Sequence, residues 1–132
     1  MAAVDLIDDY VSALPGDTRR LAHGEWGITV RPEHAGGWSL EMGLCLADGL
    51  LTAQAFAVPA DAAPPPELLL HWNRQTRFVR FAATRSGDVW VQGDLAAGDV
   101  SEQSLDRLLG LLVQGAVAAR SRSAGVPAPP VG

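Results

Sequence analysis

The sequence predicts an α+β domain: a five-stranded antiparallel sheet with helices, in the order α-βββ-α-ββ-α. Three observations predict it. Trp38, Leu40, Met42, Leu44 and Leu46 alternate with Ser39, Glu41, Gly43 and Cys45, which is the period of a strand with one buried face. Val4, Ile7, Tyr10, Val11 and Leu14 near the start, and Leu105, Leu108, Leu109, Leu112 and Ala116 near the end, recur at helical spacing. Short glycine-containing turns separate the strand signals, so the strands pair as antiparallel meanders and helices cover one face of the sheet.

The elements follow in order. Val4 to Leu14 reads as the first helix, with Asp5, Asp8, Asp9 and Ser12 opposite its apolar stripe and Pro15-Gly16 as its stop. Trp26, Ile28 and Val30 form the first strand, which ends at Pro32. Gly36-Gly37 turns the chain into the Trp38–Leu46 strand, and Asp48-Gly49 is a hairpin signal. The third strand, Leu50 to Val58, mixes alanines with Gln54 and Phe56, and its pattern does not select a buried face. Pro59 to Pro66 is a stiff connection, too short for a domain linker.

Pro66 suits the first position of a second helix running to about Arg77, with Leu68, Leu69, Trp72 and Thr76 on its apolar side. This helix is expected at an edge of the sheet or on its other face. Val79, Phe81 and Ala83 form the fourth strand. Ser86-Gly87-Asp88 turns into the fifth, carried by Val89, Val91 and Leu95. Ser101 is placed to cap the last helix. One domain is expected over residues 1–120, followed by a disordered Pro/Ala/Ser tail over 121–132.

Composition bounds the function. A chain of 132 residues buries roughly two-thirds of the surface it exposes when unfolded, enough for a core without disulfide or metal. Its net charge is −5 and every basic residue is Arg, which disfavours direct binding to a phosphate backbone. Cys45 is the sole cysteine, the N-terminal segment is acidic rather than basic, and no apolar run approaches a membrane span. These point to a cytoplasmic protein with no membrane contact.

Nothing in the sequence marks catalysis, a cofactor or a metal. His23, His34 and His71 lie on separate elements and read as polar surface residues, although His23 with Glu25 and Glu33 with His34 are close in sequence. Cys45 has no sequence-local base and reads as a structural thiol, buried or half-buried. Glu41, Asp94 and Asp99 do not form an acid–base pair. Arg74, Arg77, Arg80 and Arg85 interleave with Trp72, Phe78 and Phe81. In an acidic chain that arrangement reads as a solvated helix end and strand face rather than a nucleic-acid platform.

The stretch LLLHWNRQTRFVRFAATRSGDVWVQGDL, followed by VSEQSLDRLLGLLV, resembles YbjN-type bacterial proteins, which share the type III secretion chaperone fold. The shared pattern is a Leu-rich helix ending in Asn, a strand with Phe and Arg, a Gly-Asp turn, a strand ending in Asp-Leu, and a Ser-capped Leu-rich helix. Here these are Leu68 to Asn73, Phe78 to Phe81, Gly87-Asp88, Trp90 to Leu95, and Ser101 to Leu112. The resemblance implies an α+β domain without catalytic residues, often dimeric, that binds other proteins. The family is also described as sensory or stress regulators.

Apolar residues where the pattern wants polar ones are the remaining signal: Leu70, Phe78, Trp90 and Leu111. Phe78 and Trp90, on neighbouring strands, are expected to face away from the Val79/Phe81 side together with Arg80 and Gln92. Leu70, Phe78, Arg80, Trp90 and Gln92 are therefore the expected protein-binding residues. The function read from the sequence is a non-enzymatic chaperone-like or adaptor domain, homodimeric, with a protein client. The alternative is a small-ligand-sensing domain with a pocket between sheet and helices.

Overall fold

The computed structural model describes residues 2–122. Helix α1 (Ala3–Ala13) buries Ile7 and Val11 from its apolar stripe and ends before Pro15-Gly16. Its polar face is not wasted on solvent, because Asp8 accepts a 2.7 Å hydrogen bond from the indole nitrogen of buried Trp26.

The next element is a strand that the sequence pattern conceals. Residues Asp17–Ala22 form β1, almost wholly exposed, paired antiparallel with β2 (Glu25–Val30) through a two-residue turn at His23-Gly24. Gly24 has φ +77, and a Cβ there would stand 2.9 Å from the Leu46 carbonyl oxygen, so the turn requires glycine. An outer strand with no buried residue has no need of apolar alternation, and Arg19 and Arg20 on it discourage a further strand from pairing. The sheet thus has six strands rather than five, and the element order is α-ββββ-α-ββ-α.

Strand β3 (Leu40–Ala47) and β4 (Leu50–Val58) meet at Asp48-Gly49, both at positive φ, as a two-residue hairpin turn demands. Helix α2 (Pro66–Asn73), β5 (Val79–Ala83), β6 (Val89–Ala96) and α3 (Glu102–Ser121) complete the chain. All pairs are antiparallel, and the spatial order is β1-β2-β3-β4-β6-β5.

The register places the apolar alternation of every inner strand on one face. Trp26 opposes Leu44, Ile28 opposes Met42, Met42 opposes Ala55, Ala55 opposes Val91, and Val91 opposes Phe81. On this face β4 presents Leu51, Ala53, Ala55 and Ala57, all fully buried. The alanines hide the strand's periodicity in the sequence, but they let α3 lie close over the middle of the sheet. Helix α3 buries Leu105, Leu108, Leu109, Leu112 and Ala116 there, and α1 joins the same core through Ile7 and Val11. A capping box starts α3, with Ser104 N–H donating to Ser101 Oγ and Ser104 Oγ accepting from Ser101 N–H.

The ends of the last two helices shape the rest. Helix α2 stops at Asn73, short of Arg77, because the Asn73 side chain turns to the sheet: its amide donates to the Phe81 carbonyl at 3.0 Å and accepts from the Phe81 N–H at 2.7 Å. Helix α3 runs through Arg120, which is buried (4% exposed), to Ser121. The Arg120 guanidinium donates to the carbonyls of Ala57, Ala35, Trp38, Ser39 and Phe56 and lies over the Trp38 ring. The expected tail beyond it falls, from residue 123 onward, outside the described residues. Among the described residues, no helix is long and apolar enough to cross a membrane.

Candidate functional site

With α1 and α3 on one face, the other face of the sheet carries no helix among the described residues. Reading across the register, it consists of Asp17 and Arg19; Glu25, Gly27 and Thr29; Glu41, Gly43 and Cys45; Thr52, Gln54 and Phe56; Trp90, Gln92 and Asp94; and Arg80 and Ala82. Apart from Gly27, which lies under the Arg19 guanidinium, none of these residues is buried.

The face is graded. At the β4–β6 pair, Phe56 and Trp90 stand directly opposite each other, with ring centroids 5.3 Å apart and planes at 62°. Edge-to-face packing of this kind holds two large rings in one geometry. Beside them Gln54 and Gln92 oppose one another, with the Gln92 amide donating to Gln54 at 3.4 Å. Arg80 reaches across from β5 to Asp94 at 3.0 Å. The β1–β3 side is polar: Arg19 pairs with Glu41 at 3.0 Å, and Thr29 hydrogen bonds to the same carboxylate. Between the two regions Gly43 leaves open space above the sheet, opposite Gly27 on one side and Gln54 on the other. The outcome is an aromatic pair set in a border of amides and paired charges.

Of the residues singled out from the sequence, Arg80, Trp90 and Gln92 meet on this face. Phe78 does not join them. It lies just before β5 with φ +65, and that left-handed backbone turns its ring to the opposite side of the sheet, where it is 58% exposed and Arg107 of α3 sits 5.6 Å from its centroid. Leu70 is exposed on α2, which packs through Leu69 and Trp72 instead. Cys45, expected to be at least half-buried, is exposed on the open face. Phe56 joins the face as well, on a strand whose alanine-rich pattern does not select a buried side. The four off-pattern apolar residues are thus distributed: Trp90 on the open face, Leu111 in a groove against α2, Phe78 beside Arg107, and Leu70 in solvent.

The arrangement offers contact rather than reaction. Among the described residues, no three His, Cys, Asp or Glu side chains gather where they could hold a metal ion. In the helical layer Tyr10 is held well away from its usual behaviour. Burial, aided by the neighbouring Asp106 carboxylate, pushes the Tyr10 phenol above the usual tyrosine range, so its hydroxyl stays protonated and donates to Asp106 at 2.5 Å. That bond ties α1 to α3 and lies on the opposite side of the sheet from Trp90.

Residues 21–121 match the YbjN family model, described as "Putative bacterial sensory transduction regulator". No curated protein sequence matches. Among solved structures, the fold is similar to that in the ExsC–ExsE complex, at 14% identity and a TM-score of 0.71, covering 96% of this chain and 100% of that one. It is also similar to the type III secretion chaperone SycH of Yersinia pestis, solved with a stable fragment of YscM2, at 17% identity and a TM-score of 0.65, covering 89% and 98%. The E. coli protein YbjN aligns at 11% identity and a TM-score of 0.53, covering 89% and 91%. The chain therefore has the fold of the type III secretion chaperones.

Proposed function

The chain belongs to the YbjN family, and on that footing we propose that it is a non-enzymatic protein-binding domain, chaperone-like or adaptor, whose partner seats on the open sheet face around Phe56 and Trp90. The observation that carries this is the aromatic pair itself, held edge to face on a surface that no helix covers among the described residues. Large rigid rings bury much area at small entropic cost, and a polar border of amides and paired charges supplies register; interface centres are built this way. The similar folds include proteins solved with a bound protein partner, ExsC with ExsE and SycH with a fragment of YscM2, which supports the reading.

The proposal extends to a homodimer and to a cytoplasmic setting, which the single unpaired Cys45 fits. A regulatory or stress-response role would be exercised through the same contact. The test is the double variant Phe56→Ala/Trp90→Ala, compared with wild type by light scattering for assembly and by pulldown from native extract for partners. Leu70→Ser serves as an off-face control. The double variant should stay folded and lose assembly or its specific partners, by ~2 kcal/mol or more. A folded double variant with unchanged assembly and unchanged partners would show that the face is not the contact.

A further inference from the structure

On the helical side of the sheet, a groove of about 580 Å³ opens between α3 and the corner where α2 turns into β5. That volume is within the range of small-molecule sites. Its floor is apolar: Trp72 and Phe81, with ring centroids 5.3 Å apart, together with Val79, Leu111 and Ala118. Leu111 is the apolar residue on the polar side of α3 that the pattern of a covering helix does not explain. Gly115 explains why the groove exists. A Cβ there would stand 3.1 Å from a Val91 methyl, so the helix comes down onto the sheet at a point where it carries no side chain to fill the space beside it.

The rim is selective in charge. Arg77 approaches from the α2–β5 turn and Arg122 from the end of α3, and the other polar groups lining the groove are Gln75, Thr76, Gln114 and Ser121. Among the described residues no Asp or Glu lines it, in a chain with 15 acidic residues against 10 arginines. Among the described residues neither arginine makes an ion pair. Each guanidinium carries a full charge, against roughly half a charge of opposite sign at a helix C-terminus, so the rim stays positive.

We propose that this groove binds a small amphipathic carboxylate, its apolar body on the Trp72–Phe81–Leu111 floor and its carboxylate between Arg77 and Arg122. Guanidinium groups match carboxylates in both charge and geometry. The apolar floor excludes small hydrophilic anions, and the absence of acids excludes amphipathic cations. The site is separate from the open face and does not depend on it.

Decanoate is the probe, titrated below its micelle concentration and followed by backbone amide chemical shifts, with decanol and decyltrimethylammonium as uncharged and cationic comparators. The expected result is saturable one-to-one binding, with shifts centred on Trp72, Phe81, Leu111 and Gly115, and binding of both comparators weaker by about tenfold or more. Arg77→Gln/Arg122→Gln should weaken decanoate by about tenfold or more. Ala118→Trp, at an exposed lining position, should abolish binding by filling the groove. Phe56→Ala/Trp90→Ala should leave it unchanged. No saturable binding, equal binding of decanol, or binding that survives Ala118→Trp would overturn the proposal.

Discussion

Arg120 shows how much one residue can organise. Its five guanidinium N–H groups meet five backbone carbonyls, from the turn before β3 and from the end of β4, and among the described residues it makes no ion pair. Burial draws its pKa down to about 10, which still leaves it charged at neutral pH. Truncating it would strand those carbonyls in the interior, at about 1–3 kcal/mol for each left unpaired. Arg120→Met should therefore cost at least ~3 kcal/mol in urea denaturation with an unchanged slope, and Arg120→Lys, with three donors, should fall between it and wild type. A loss below ~1 kcal/mol for Arg120→Met would mean that water replaces the guanidinium. Nothing in the sequence marks this arginine, because its acceptors are backbone groups more than 60 positions away.

Tyr10 is legible as a stripe residue, but its hydrogen bond is not. Because its folded pKa is raised, the Tyr10–Asp106 bond contributes fully below the phenol's ordinary pKa of 10.0 and is lost as pH rises beyond it. Tyr10→Phe should lower stability by about 1 kcal/mol at neutral pH, and the difference from wild type should shrink above pH 10.0. A pH-independent difference in chemical denaturation would assign the effect to packing instead.

At the scale of elements, the sheet's two edges are guarded differently. β1 carries arginines, whereas β5 is closed by Asn73, whose amide takes the place of a neighbouring strand at Phe81. Asn73→Ala should cost about 1–3 kcal/mol, since two bonds to a shielded backbone are lost. It should also speed hydrogen exchange at the Phe81 amide and promote concentration-dependent association. Unchanged exchange at Phe81 would contradict this role for α2. The same elements explain what the sequence reveals and what it hides. The Trp38–Leu46 alternation, the Asp48-Gly49 turn and the Ser101 cap are local signals, and the structure contains them. β1 escapes because an exposed edge strand has no buried face to imprint a pattern, and the buried side of β4 escapes because alanine is silent in a hydrophobic alternation.

For the whole molecule, one face of the sheet is core and the other is open, and that division was legible from the apolar stripes of α1 and α3. The composition of the open face was legible only in part. Arg80, Trp90 and Gln92 follow from strand alternation. Phe78 follows the same alternation on paper but leaves the face through its positive φ, while Phe56 enters it through a strand register that only the fold defines. Cys45 provides a native reporter for a protein seated on this face. The thiol is exposed and single in the chain, and it shares the face with Trp90, its neighbour Thr52 lying four residues along β4 from Phe56, roughly 14 Å. The most direct measurement is the alkylation rate of Cys45 in dilute purified protein against that in assembled protein and in complexes recovered from native extract, with Gly110→Cys on the exposed side of α3 as the reference in a Cys45→Ser background. Slowed alkylation of Cys45 with an unchanged rate at position 110 is the predicted result. Equal reactivity of Cys45 in free and assembled protein, with protection at position 110 instead, would place the partner on the helical face and rule out the open one.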